Sequence, residues 1–203
     1  MSNAIATYKI LTLSKHISRG NTKVPYYVFN MNSATDCPSK KLGLCKHAKI
    51  CYARKSEYLY PQVLPYRRRQ AEYWKNTSAN AFVGELVSIQ GRARKMPKVL
   101  RFSESGDFEN QVDVDKFTRI AWMLKGQGWK VYGYTARIDL DLSKLIKHAS
   151  VNLSGDCKAI IKKTNRFKVV KKPSGDNFVC IGDCKKCNLC ISATGKTIEV
   201  IKH

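Results

Sequence analysis

The stretch that decides the fold runs from Val99 to Asp156: VLRFSESGDFENQVDVDKFTRIAWMLKGQGWKVYGYTARIDLDLSKLIKHASVNLSGD. Pro97 precedes a short apolar strand, Val99-Leu100-Arg101-Phe102, which ends in the polar run Ser103-Glu104-Ser105-Gly106-Asp107. From about Asp113, Val114, Phe117, Ala121 and Leu124 recur at helical spacing, and Gly126 is the stop. Lys130 to Thr135 reads as a second strand. Asp141 opens a short helix with Leu142, Leu145 and Ile146 on one face, and Ser150 to Ser154 is a third strand. A β-α-β-α-β order calls for parallel strands, because parallel neighbours need a crossover between them. The expected fold class is α/β: a partial (β/α) barrel or an open, mostly parallel sheet with crossover helices.

Outward from that core, Tyr26 to Phe29 reads as a strand leading into a cysteine-bearing loop. Two helices follow, at about 65–75 and 78–95. Ser78 caps the second, and Phe82, Val83, Leu86, Val87 and Gln90 form its inward stripe. Downstream, 167–170, 178–181 and 198–201 carry strand character. There is no internal repeat and no low-complexity linker. At 203 residues and 43% hydrophobic, the chain supports one substantial core. It is read as a single α/β domain, 1–203, with 178–203 as a cysteine-rich, metal-binding C-terminal segment.

Seven of the eight cysteines fall into two groups. Cys180, Cys184, Cys187 and Cys190 follow a C-x3-C-x2-C-x2-C spacing, and Cys37, Cys45 and Cys51 form a looser trio. Four thiols within eleven residues suit one soft cation or cluster. A disulfide framework is the competing reading, but it expects a small secreted domain. The opening residues, MSNAIATYKILTLSKHISRG, contain no apolar run of the signal-peptide kind. A reducing, cytoplasmic setting is therefore expected. The C-terminal four can close a tetrahedral zinc site or bind a [4Fe–4S] cluster, and their compression favours the cluster. The trio leaves a fourth position for Cys157, His47, water or substrate.

Thirty-seven basic residues against 15 acidic give a net charge of +22. A surplus of that size points to a polyanionic partner, nucleic acid first. Residues 158–172, KAIIKKTNRFKVVKK, hold seven positive charges and no acid. Arg67, Arg68 and Arg69 form a second basic group, and Arg92, Arg94, Lys95, Lys98 and Arg101 a third. Tyr66, Tyr73 and Trp74 share a helical face, which favours burial over base stacking. Phe167, inside the basic run, is the first ring to test for stacking. No apolar stretch reaches the ~18–20 residues that cross a bilayer, so no membrane partner is expected.

Each readable strand ends in a polar cluster: Glu104, Ser105, Gly106 and Asp107; then Tyr134, Thr135 and Arg137; then Asn152, Ser154 and Asp156. Ligands of parallel sheets bind at the carboxyl ends of strands, where such side chains converge. Glu104, Asp107, Arg137 and Asn152 are accordingly the candidate catalytic residues.

Cys37, Cys45 and Cys51 followed by Tyr52-Ala53, then RFSESGDF, YGYTAR, NLSGD and the terminal cysteines, resemble the phage gene-product-eighty-eight family, a cysteine-rich group. The layout is more distantly similar to radical S-adenosylmethionine enzymes. That second resemblance implies an open-site [4Fe–4S] cluster on Cys37, Cys45 and Cys51, with S-adenosylmethionine bound by Ser105, Gly106, Asp107 and Ser154. The spacings x7 and x5 differ from those enzymes' C-x3-C-x2-C. The expected function is a phage-type iron–sulfur protein, with one or two clusters, that acts on or binds nucleic acid. The alternative is a non-enzymatic basic module stapled by zinc or a cluster.

Overall fold

A computed structural model of the protein describes residues 14–155 and 161–202. Seven strands form one parallel sheet: β1 (Tyr27–Phe29), β2 (Val99–Phe102), β3 (Lys130–Thr135), β4 (Ser150–Leu153), β5 (Asn165–Val170), β6 (Phe178–Val179) and β7 (Thr197–Ile201). Their order across the sheet is β1-β2-β3-β4-β5-β7-β6. The register pairs Leu100 with Tyr27 on one side and Val131 on the other, and every strand pair is parallel. The two edge strands do not pair with each other, so the sheet is open rather than closed into a barrel. The C-terminal segment is not an appendage: β7 lies inside the sheet between β5 and β6.

Among the described residues there are five α-helices: α1 (Pro38–Lys41), α2 (Tyr52–Leu59), α3 (Val63–Asn76), α4 (Ala79–Arg92) and α5 (Gln111–Gly126). Ser78 caps α4 by accepting the Ala81 N–H, and Asn110 caps α5 by accepting that of Asp113. The helix expected from Asp141 reduces to a 3-10 turn, Leu145–Lys147. The backbone N–H and C=O of Asp141 are instead taken up by the Gln111 side-chain amide, at 2.9 and 3.1 Å.

The pleat sorts the strand residues onto two faces. Tyr27, Phe29, Leu100, Phe102, Val131, Val151 and Leu153 join the apolar sides of α4 and α5, with Trp74 of α3, in the main core. Val28, Val99 and Tyr132 face the other way, against Tyr26, Cys184, Cys190 and Ile191. Helices thus cover one face of the sheet, and the cysteine-rich segment covers the other.

Gly133 makes the first face possible. It sits beside Phe102, which is fully buried and 3.9 Å, centroid to centroid, from Phe117. A Cβ at 133 would fall 2.4 Å from the Phe102 ring. Gly133→Ala is expected to cost about 1–3 kcal/mol by overpacking, read as a lower urea midpoint with an unchanged slope.

Candidate functional site: two groups of thiols on one sheet

The first group gathers beyond the carboxyl ends of β1 to β4. Cys37 precedes α1, and Cys51 immediately precedes α2. Cys45 lies between them, with its Cα and Sγ directly over Gly155 at the end of β4. Gly155 has φ +73°, and a Cβ there would come within 3.1 Å of the Cys45 Cα. The Gly155 carbonyl accepts the Lys46 N–H at 3.2 Å, which ties the loop to the strand end. All three thiols are half-buried and free of disulfides. Burial pushes the Cys37 thiol up to about 12, with the neighbouring Asp107 and Cys45 adding to it. Burial also raises Cys45, which has Cys51 and Asp107 nearby. Such thiols stay protonated until a cation pays for the charge, which a bound metal does.

The strand-end clusters converge here as the sequence implies, but several of their members serve the scaffold. Asp107 is 3% exposed and accepts four hydrogen bonds: Ser39 Oγ (2.5 Å), Thr135 Oγ1 (2.6 Å), Ala136 N–H (2.8 Å) and Phe108 N–H (2.9 Å). It knots the Cys37 loop to the ends of β2 and β3. Arg137, 4% exposed, gives its guanidinium to Asp139 and to the carbonyls of Phe108 and Glu109. The Ser105 N–H donates to Asn30 Oδ1, and its hydroxyl points to Glu57. Gly106, with φ +74°, presses on the Asn32 backbone, where a Cβ would meet the carbonyl oxygen at 2.4 Å. Asp107 and Arg137, expected at a ligand site, make these bonds within the protein. Glu104 remains half-buried beside Tyr52 and Arg101, and Ser154 is half-buried at the end of β4. Asp156 and Cys157 lie outside the described residues.

A second knot was not legible. Glu57, on the inward side of α2, accepts from Ala34 N–H (2.7 Å), Thr35 N–H (2.9 Å), Thr35 Oγ1 (2.8 Å) and Arg67 Nη1 (2.9 Å). Burial alone would raise its carboxyl, but these donors outweigh burial and hold it below the ordinary glutamate range. Arg67 is therefore no part of a nucleic-acid footprint; it is 5% exposed and also donates to the Ala53 carbonyl. Arg68 pairs with Asp36 at the surface. His47 contributes a backbone N–H toward the Cys45 thiol.

The second group lies on the opposite face of the sheet. Cys180, Cys184, Cys187 and Cys190, all free and half-buried, line one shallow cleft together with Tyr26, Tyr132, Ile181, Gly182, Asp183 and Ile191. Burial pushes Cys190 up to about 11, although a hydrogen bond with the Tyr134 hydroxyl works in the opposite direction. Tyr26 donates its hydroxyl to the Cys184 carbonyl at 2.8 Å. Arg101 approaches the same face, with its guanidinium 5.2 Å from the centre of the Tyr134 ring. Its charge favours the thiolate forms of Cys184 and Cys190. Among the described residues, no three His, Cys, Asp or Glu side chains are disposed to hold a single metal ion.

Asn152 and Asn165, both fully buried, dock this segment. Asn152 Nδ2 donates to the Gly133 and Cys190 carbonyls, each at 3.0 Å, and its Oδ1 accepts from Asn165 Nδ2 at 2.9 Å. Asn165 Nδ2 also reaches the carbonyls of Leu189 (2.9 Å) and Ser192 (3.0 Å), while its Oδ1 accepts from Thr194. Asn152, expected at a ligand site, here braces the cysteine turn. Phe167 packs edge-on against Tyr134 at 5.1 Å, so it belongs to this face and not to a stacking surface.

With both thiol groups placed, the comparisons decide the lineage. The sequence matches the family described as Gene product 88 over residues 7–179. This chain belongs to that family. The match includes the first cysteine loop and all the strand-end clusters, and stops just before Cys180. No curated protein and no solved structure matches it. In this Gene product 88 chain, no helix among the described residues is long and apolar enough to cross a membrane.

Asn165→Ala removes both halves of the docking amide. It is expected to cost about 1–3 kcal/mol, because buried carbonyls lose their donor. Hydrogen exchange should rise at residues 189–194 while the amides of α4 and α5 stay protected. Uniform loss of protection would contradict a local docking role.

Proposed function

We propose that this protein is an iron–sulfur protein that engages nucleic acid. The observation that carries the first half is the cleft ringed by four free thiols, Cys180, Cys184, Cys187 and Cys190. The donor set fits: thiolates are the protein ligands of [4Fe–4S] clusters, and a bridged cluster spreads its attachment points around a volume. A single zinc ion would draw the four sulfurs onto one point about 2.3 Å from each, whereas a bridged cluster takes its attachments from thiols spread around a cleft, as these line theirs. Arg101 and the hydroxyls of Tyr26 and Tyr134 stand where they would offset the negative charge of a thiolate-bound centre and tune its potential. Cys37, Cys45 and Cys51, on the loops at the sheet's carboxyl edge, would supply a second, three-thiol site.

The narrower reading, radical S-adenosylmethionine chemistry, asks that trio for an open iron and asks Ser105, Gly106, Asp107 and Ser154 for the cofactor. Three of these four do not fit the task. The Ser105 N–H and hydroxyl bond inward, Gly106 is pressed on the Asn32 backbone, and Asp107 is saturated with internal donors. The nucleic-acid half rests on charge. The net charge is +22, and Lys162, Lys163, Lys168, Lys171 and Lys172 are all exposed. The second reading, a zinc-stapled basic module, is favoured only by the C-x2-C spacings.

Protein made anaerobically with ample iron is expected to be brown, with roughly four to eight irons per chain and matching sulfide. Cys187→Ser should remove about four of those irons, and the joint Cys37→Ser, Cys45→Ser, Cys51→Ser variant should remove any others. A colourless protein carrying stoichiometric zinc after the same preparation would contradict the cluster and favour the module.

A further inference from the structure

The surface around the first thiol site has a character that no strand-end cluster announces. Glu57 is the one acidic residue between Asp36 and Glu72, and it is buried against Arg67. The exposed charges of the loop and of α2 are therefore all positive: Lys41, Lys46, Lys49, Arg54 and Lys55. Large apolar side chains are exposed among them. Tyr58 is 89% exposed, Tyr52 58% and Tyr60 54%, with Leu42, Ile50 and Leu59 beside them in sequence.

Helix geometry explains the outward set. Ala53 and Glu57, four residues apart, turn inward, the latter because its carboxylate is consumed by the 34–35 backbone and Arg67. That fixes Arg54, Lys55 and Tyr58 on the outer side. Tyr52 is held as a platform: its hydroxyl donates to the Glu104 carbonyl at 2.7 Å and lies 3.3 Å from Arg101 Nη2, while its ring stays in solvent. Leaving several large rings in water is costly unless a partner covers them. A partner matching both features carries dense negative charge and flat apolar faces. Unpaired bases on a phosphate backbone have both; a duplex hides its bases within the stack.

We propose that the collar of α2 and the preceding loop is a binding surface for single-stranded nucleic acid, running past Cys51 into the three-thiol site. Bases stack on Tyr58, Tyr60 and Tyr52, and Lys49, Arg54 and Lys55 contact phosphates. This deepens the nucleic-acid reading above and names single strands as the class presented to the Cys37 site.

The test is fluorescence anisotropy of labelled oligo-dT and oligo-U, against a duplex of equal length, across a salt series. The full chain is used as purified, with metal content measured in parallel. Single strands are expected to bind more tightly than duplex. Tyr58→Ala and Tyr60→Ala should each weaken single-strand binding by about 5- to 100-fold with little change in salt slope, and Tyr58→Phe should restore it. Joint replacement of Lys49, Arg54 and Lys55 by Gln should flatten the slope by about 2. Thermal melts and iron content should not change in the tyrosine variants, since neither hydroxyl makes a bond among the described residues. Full affinity in these variants, with loss instead on replacing Lys162, Lys163, Lys171 and Lys172, would overturn the collar but keep the nucleic-acid reading. No binding of any oligonucleotide at low salt, or binding only to anionic vesicles, would overturn both.

Discussion

A parallel sheet whose strands follow one another in space from β1 to β5 must send its crossovers out and back between neighbours. Here those crossovers put α4 and α5 on one face, which leaves the other face with no helix. Val28, Val99, Tyr132 and Tyr134 would then stand in water, a layer the sheet cannot leave bare. The chain covers it with the segment from Cys180 to Ser192, held between β6 and β7. The C-terminal thiols are therefore not on a free tail. They are the second layer of the domain, and their surroundings of tyrosine and arginine follow from the pleat of β2 and β3.

The same economy governs the carboxyl edge. Loops that carry Cys37, Cys45 and Cys51 contain little to bury, and their rigidity comes from charged groups instead. Asp107 and Glu57 each take several donors, most of them from elements distant in sequence. A buried carboxylate is costly to leave unpaired, so each knot penalises every arrangement of the loops but one. Small residues finish the placement, with Gly155 beneath Cys45 and Gly106 against Asn32. The two thiol sites differ accordingly: one is set by polar knots at a sheet edge, the other by an amide ladder through Asn152 and Asn165 on a sheet face.

Much of this fold is legible in residues 99–154, because apolar periods of two and 3.6 alternate there and Gly126 stops the long helix, although the short period at 142–146 gives only a 3-10 turn. The helix at 52–59 escapes the same reading for a physical reason. Its inward side is Ala53 and Glu57, so an ion pair stands where an apolar stripe would be sought. The thiol sites are legible from spacing. The roles around them are not, because a polar residue after a strand looks alike whether it faces a ligand or a neighbouring loop. Asp107, Arg137 and Asn152 are of that kind. Asn165, which docks the cysteine turn, hides inside a basic run that reads as charge. Arg101 looks like one more cation, yet strand alternation sends it to the cysteine face. The exposed tyrosines of α2 and its C-terminal end do leave a signal in the sequence: rings amid lysines and arginines, with one acid in the whole stretch.

The central claim is that the four C-terminal thiols hold a bridged iron–sulfur centre and not a single ion. X-ray absorption on a chain with Cys37, Cys45 and Cys51 replaced by Ser, prepared anaerobically, addresses it most directly. The account predicts an iron edge with a sulfur shell and a short iron–iron vector. A zinc edge with four sulfurs at about 2.3 Å and no metal–metal vector would contradict it.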